Sequence, residues 1–204
     1  MNLDLLQKAV EEIKSELETA IRTGSYKNKN YDNGQQAKQA LIRSQNLIMK
    51  IHEVVKASLD QELKKFTESY TIYPPLDKRG PELVVSGLIK SKRQDIVALV
   101  GKDTKKPEII REGPLAGAVN SIGKRRSENA IVIGIRSQLS SVGKNFDTLM
   151  ERTFAETLNL RLRLPKLVMG EVYILPVIEY DDQAMKQNSI DWKKRPTPIE
   201  KFTE

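Results

Sequence analysis

The 204-residue chain has no cysteine, one histidine and one tryptophan. Without cysteine there are no disulfides, thiolate nucleophiles, iron–sulfur clusters or cysteine zinc sites. A lone His52 excludes multi-histidine metal cages and two-histidine acid–base relays, and no nucleophile motif accompanies it. Aromatic residues are 5% of the chain, and no apolar run approaches the roughly 18 residues a membrane helix needs. The N-terminus, Met-Asn-Leu-Asp-Leu-Leu-Gln-Lys, lacks a basic stretch followed by an apolar one. A signal peptide is therefore not expected, and a cytoplasmic protein without a membrane partner is. Walker-type loops, dinucleotide glycine patterns, nucleophile elbows and HExxH are all missing. What chemistry there is must come from carboxylates, amides, hydroxyls, lysines and arginines.

Positive charge is present and unevenly placed. Residues 78–126 hold 12 Lys/Arg against five acids and so carry the whole formal net charge of +7. Clustered cations of this kind suit a polyanion, because each one placed at a phosphate releases counterions. Nucleic acid is the expected partner.

Hydrophobic spacing outlines the elements. Leu6, Val10, Ile13, Leu17 and Ile21 predict a helix over 3–22, stopped at Gly24. Asp32 and Asn33 are candidate caps for a second helical region over 35–66, long enough to break once. Beyond Tyr70 the pattern turns to strands, at 82–89, 95–100 and 130–136, with a short helix expected near 115–122. A helix over 140–160 has Val142, Phe146, Leu149, Met150, Phe154 and Leu158 as its expected inner face, and a strand over 167–177 follows. Strand, helix and strand in that succession fit a crossover between parallel strands. The expected fold is α/β: a mixed β-sheet core flanked by helices, with an N-terminal helical region. The corresponding divisions are 1–68 for helical packing and dimerisation, 69–180 for the α/β core, and 181–204 for a polar tail anchored by Trp192 and Phe202.

Asp95 opens a strand directly after Lys90-Ser-Lys92-Arg93-Gln94, the setting of a metal ligand that faces phosphate. An ion pair with Lys92 or Arg93 is the plainer alternative. Arg136, Ser137 and Gln138 end the strongest strand, followed by Ser140, Ser141, Lys144 and Asn145 at the start of a helix. Strand ends and helix N-termini both favour anionic ligands, although the serines also serve as caps. Glu151 and Glu156 lie along that helix. Glu171 interrupts an apolar run, and Glu53 borders the core stripe of the long helix.

Two of these stretches, Gly87-Leu-Ile-Lys-Ser-Lys-Arg93-Gln94-Asp95 and Gly134-Ile-Arg136-Ser137-Gln138-Leu-Ser-Ser-Val-Gly143-Lys-Asn145-Phe146, resemble type II restriction endonucleases of the PD-(D/E)XK superfamily, nearest to those of the XhoI kind. The likeness covers about 70 residues, from Gly87 to Glu156. It implies a nuclease-like core that hydrolyses phosphodiester bonds of double-stranded DNA with Mg²⁺, as a homodimer, for which the N-terminal helices are the candidate interface. Asp95 matches the first metal-binding carboxylate. The second carboxylate's place is taken by Gly134 and the lysine's by Arg136. Glycine cannot bind metal, and arginine stays protonated and cannot act as a base. The resemblance thus implies a carboxylate supplied from elsewhere. Glu151 (or Glu156) is the expected replacement, giving Asp95 and Glu151 as metal ligands and Asp95, Arg136, Gln138 and Glu151 as catalytic residues. Lys90, Lys92, Arg93, Lys124, Arg125, Arg126, Ser140, Lys144 and Asn145 are the expected DNA contacts. The alternative is a degenerate nuclease core that binds DNA without cutting it.

Overall fold

The computed structural model describes residues 2–102 and 106–198. Phe202 of the tail, and Asp103 and Lys105 of the basic segment, lie outside the described residues.

The chain forms a mixed α/β fold with helices leading. Helix α1 (Leu3–Thr23) begins where the Asn2 side chain accepts the Leu5 N–H and ends at Gly24, whose left-handed φ of 60° suits glycine. A two-stranded hairpin, β1 (Ser25–Tyr26) with β2 (Lys29–Asn30), leads to α2 (Gly34–Arg43), capped by the Asn33 side chain. The long helical region does break once, at Ser44–Gln45, where Gln45 takes φ 61°, and α3 (Asn46–Phe66) follows.

The strands are β3 (Tyr70–Tyr73), β4 (Leu83–Ser86), β5 (Ser91–Gln94), β6 (Ile96–Val100), β7 (Glu108–Ile109), β8 (Val119–Asn120), β9 (Ala130–Ser137) and β10 (Val168–Ile174). Helix α4 (Lys124–Glu128) precedes β9, α5 (Val142–Arg161) joins β9 to β10, and α6 (Asp182–Lys186) lies in the tail. The main sheet has the order β10-β9-β6-β3, with β6 antiparallel to both β3 and β9. Gly134 lies against Glu171 and Gly170 against Ile133, while the Gln138 N–H bonds the Ile174 carbonyl. A constant offset of this kind means that β9 and β10 run parallel, with α5 as the crossover.

The helix expected over 115–122 does not form. Gly113 and Gly117 adopt φ of 68° and 89°, and the Ile110 N–H and Gly117 N–H close onto Ala118 and Ile110 carbonyls. The segment is the β7–β8 hairpin with a 3₁₀ turn at Gly113–Leu115. Strand β5 was hidden in the sequence because all four of its residues are polar.

Chain contacts divide the protein into two compact units that do not follow the divisions expected from sequence: residues 1–54, 136–146 and 173–204, and residues 55–135 and 147–172. In the first unit, Ile13, Leu17, Ile21, Ala37 and Leu41 are buried together on α1 and α2. Gly34 permits this approach, since a Cβ there would lie 2.1 Å from the Ile21 carbonyl oxygen. Lys50 adds ion pairs to Glu12 and Glu16 at 2.6 and 3.1 Å. In the second unit, Val97, Leu99, Ala130 and Val132 of the sheet pack with Leu83, Val85, Ile122, Leu160, Leu164 and Leu167. Each fully buried leucine there contributes roughly 1.5–3 kcal/mol. Lys56, fully buried on α3, donates to the Pro75 and Lys78 carbonyls and so ties down the loop after β3.

The inner face of α5 differs from expectation. Val142 and Leu149 are buried, but Phe154 and Leu158 are 68% and 56% exposed, and the buried positions further along are Glu156, Asn159, Leu160, Arg163 and Leu164.

Candidate active site

Asp95 stands at the bend between β5 and β6, where the chain leaves a basic hairpin and enters the central sheet. Its Oδ2 accepts the Ile135 N–H of β9 at 2.8 Å. The register Ile96↔Ile133, continued by one residue, sets Asp95 across from Gly134. A carboxylate accepts about four hydrogen bonds or metal contacts, so the bond to Ile135 orients Asp95 without exhausting it.

Gly134 is the position where the resemblance implies a carboxylate and the chain has none. The space is filled from the neighbouring strand: a Cβ built at Gly134 would lie 2.6 Å from both carboxylate oxygens of Glu171 on β10. Strand alternation puts Glu171 on the same sheet face as Met169, which packs on the Leu160–Leu164 cluster, and Gly134 on the face of Val132. The Glu171 carboxylate therefore occupies the place that a side chain at Gly134 would take. A charged group inside the apolar run 167–177 was the sequence's signal for Glu171, and a glycine in the middle of a core strand was its counterpart.

The acids expected to fill that role do other things. Glu151 is exposed on α5, and Glu156 is buried and hydrogen-bonded to Lys92. The pairing also commits Lys92, which had been expected at DNA. Arg126 is likewise committed: its buried guanidinium donates to the Val100 and Gly101 carbonyls, both at 2.8 Å, so it is a core residue and not a surface contact. Lys124 pairs with Glu112 at 3.2 Å, Arg125 is exposed on α4, and Lys90 and Arg93 are exposed on the β4–β5 hairpin.

Arg136, Gln138, Ser140, Lys144 and Asn145 belong to the first unit. The Gln138 side chain donates to the Ser140 carbonyl, and Asn145 donates to the Ser141 carbonyl at 3.1 Å. Arg136 is half-buried and Lys144 exposed. The N-terminus of α5 already holds an anion, since Glu179 accepts the Val142 N–H at 3.0 Å and pairs with Lys193 at 2.5 Å. Burial works to raise the Glu179 pKa, but Lys193, the Val142 N–H and Lys38 outweigh it and hold the carboxyl below its ordinary range.

Asp95 and Glu171 are hard oxygen donors, which fits Mg²⁺ or Mn²⁺. Among the described residues no three His, Asp or Glu side chains gather in a metal-ligating group. Proteins commonly hold Mg²⁺ with one or two carboxylates, water and substrate phosphate completing the shell, and Asp95 and Glu171 are the carboxylates beside Gly134. No helix among the described residues is long and apolar enough to cross a membrane. In comparisons with protein families, curated proteins and solved structures, nothing matches the chain.

Proposed function

We propose that the protein is a Mg²⁺-dependent endonuclease of double-stranded DNA, a restriction enzyme acting in the cytoplasm as a homodimer, whose carboxylate pair is Asp95 and Glu171. The observation that carries this reading is the Glu171 carboxylate lying where a side chain at Gly134 would start, across from Asp95. A strand glycine has no need of a carboxylate over it. Glu171 is a half-buried carboxylate in an otherwise mostly apolar strand.

Asp95 at the bend that opens β6 and Glu171 on β10 would hold the metal from either side of β9. The metal, when bound, supplies a polarised water and neutralises charge on the phosphate. Asp95 is held in orientation by the Ile135 N–H. The excess of cations in residues 78–126 supplies affinity for the DNA backbone.

The deciding experiment is incubation of the purified chain with unmethylated phage DNA, with Mg²⁺ or with EDTA. Discrete fragments with Mg²⁺ alone, lost in Asp95→Ala and Glu171→Ala, are the expected result. Intact DNA that is bound equally in both conditions would instead establish a non-catalytic DNA-binding protein, with Gly134 and Arg136 as marks of lost chemistry. Cleavage that survives both substitutions would overturn the carboxylate assignment.

A further inference from the structure

We infer that the β4–β5 ribbon is the element that enters the major groove of duplex DNA, and that Asn159 is the positioning residue that fixes it. The inference rests on the nuclease reading only for the choice of DNA as the polyanion.

The ribbon pairs Val84 with Arg93, Val85 with Lys92 and Ser86 with Ser91. Lys90, Ser91, Lys92 and Arg93 are exposed, and Ile89 at the turn is 58% exposed. Alternation along β5 sends Lys92 and buried Gln94 to one side, where Lys92 meets Glu156 of α5, and leaves Ser91 and Arg93 on the other. The outward side thus offers an arginine, with a lysine and an aliphatic tip beside it, while the Ser91 hydroxyl donates to buried Ser86 Oγ at 2.9 Å. These groups suit guanine edges, phosphates and thymine methyls.

A hairpin that served only solubility would need no anchoring. Here the turn is clamped. Asn159, 3% exposed on α5, accepts the Ile89 and Lys90 N–H groups through Oδ1 at 2.8 and 3.1 Å and donates Nδ2 to the Lys90 carbonyl at 3.1 Å. Its own carbonyl accepts the Leu88 N–H at 2.8 Å. Gly87 makes room for this, because a Cβ there would sit 2.4 Å from Asn159 Nδ2. Buried Arg163 adds a bond to the Ser86 carbonyl at 2.9 Å. Two buried polar side chains, Asn159 near the end of α5 and Arg163 just past it, are therefore committed to the backbone of the exposed cationic hairpin. Such groups are costly to bury unless satisfied, and what they secure is a fixed position for the ribbon.

That position is coupled to the carboxylates. Asp95 directly follows Gln94, the buried last residue of β5, so a ribbon seated in a groove sets where the backbone meets Asp95 and Glu171. A two-stranded ribbon matches the width of the B-form major groove, whereas the A-form groove of duplex RNA is too narrow. The ribbon carries no aromatic residue for stacking bases, which weighs against single strands.

The test is equilibrium binding of the full chain to a random-sequence DNA duplex in EDTA, where cleavage is off, across a salt series. Arg93→Ala and Lys90→Ala should each reduce the slope of log affinity against log salt by about one. Asn159→Ala keeps every cation and should weaken binding about tenfold with the slope unchanged, and Asn159→Asp, which retains the two accepted N–H bonds, should recover part of the loss. A duplex whose major groove is filled by glucosylated hydroxymethylcytosine should bind about tenfold more weakly, and netropsin in the minor groove should not compete. Duplex binding that is indifferent to Arg93 and Lys90, or competed by netropsin, overturns the ribbon assignment and leaves the nuclease reading standing. Ribbon-dependent binding without cleavage in Mg²⁺ does the reverse. Preference for single-stranded RNA over duplex DNA overturns both.

Discussion

The contact between Glu171 and the empty side of Gly134 can be tested without any catalytic assay. In Gly134→Ala the new methyl would start 2.6 Å from both Glu171 oxygens, closer than a Cβ ever approaches a neighbouring atom, so the carboxylate must leave. Overpacking a well-filled site costs about 1–3 kcal/mol. The displaced atoms are the far end of a flexible side chain, which places the cost toward the lower end of that range. Against it stands about 0.5–1 kcal/mol gained by replacing a strand glycine with alanine. The single variant should thus be destabilised by up to about 2 kcal/mol. In a Glu171→Ala background the obstacle is gone, and the same substitution should be neutral or stabilising by about 0.5–1 kcal/mol. The double-mutant cycle therefore predicts a coupling of about 1–3 kcal/mol.

Urea unfolding of the four proteins measures this, provided the m-values agree. Additivity within about 0.5 kcal/mol would refute the placement of Glu171 over Gly134, and with it the carboxylate pair. The cycle has a functional extension. Gly134→Glu alone puts two carboxylates in one place and should be unstable, but Gly134→Glu with Glu171→Ala moves the acid from β10 to β9. That exchange should restore Mg²⁺-dependent cleavage lost in either single variant.

Three further predictions concern groups outside the carboxylate pair. Arg126→Ala strips donors from the Val100 and Gly101 carbonyls and should cost about 2–4 kcal/mol in urea unfolding while leaving the salt slope of DNA binding unchanged; a lowered slope with intact stability would return Arg126 to the DNA surface. Glu179, held below its ordinary range, stabilises the fold above the unfolded carboxyl pKa of about 4.3 and loses that contribution as pH falls through its folded value. Glu179→Gln should therefore be less stable at neutral pH, with the gap to the parent closing on acidification; a gap independent of pH refutes the pairing with Lys193. Tyr180, pushed up to about 12 by burial and then by Glu18, should ionise well above the ordinary tyrosine value of about 10 in an absorbance titration. Its contribution is complete below pH about 10 and lost as pH rises through 12, so Tyr180→Phe should flatten the alkaline limb of the stability curve.

The fold was legible where one element satisfies one rule. The spacing of Ile13, Leu17 and Ile21, and Gly24 after them, defined α1 to within a residue, because a helix with one buried face and a left-handed stop leaves a local record. The run Ala-Ile-Val-Ile-Gly-Ile marked β9 because β9 lies between two other strands of the sheet. The break at Gln45 was foreseen from length alone. The short helix over 115–122 was not to be had, because two glycines with positive φ turned an apolar patch into a hairpin. The candidate site was half legible: Asp95 and the glycine at 134 are visible in the chain, but which carboxylate lies beside Gly134 depends on which strand neighbours β9, and that is a tertiary fact.

Helix α5 shows why the remaining half was hidden. Its apolar residues suggested a face that includes Phe154 and Leu158, and both are exposed; its buried side carries Glu156 and Asn159, and buried Arg163 follows just past its end. Read for amphipathicity the helix is inside out, and the reversal is confined to the stretch beside the β4–β5 ribbon. Glu156 takes Lys92, Asn159 takes the turn at Ile89 and Lys90, and Arg163 takes Ser86. A helix devoted only to core packing would place leucines at those positions and gain roughly 1.5–3 kcal/mol from each. The chain forgoes that gain at three buried positions and spends them on one exposed basic hairpin. Local pattern rules fail where a protein departs from its own most stable arrangement, and such departures gather at functional elements. The misread face of α5 and the rigid ribbon above it are thus one observation, and it points to the same segment as the clustered positive charge of residues 78–126.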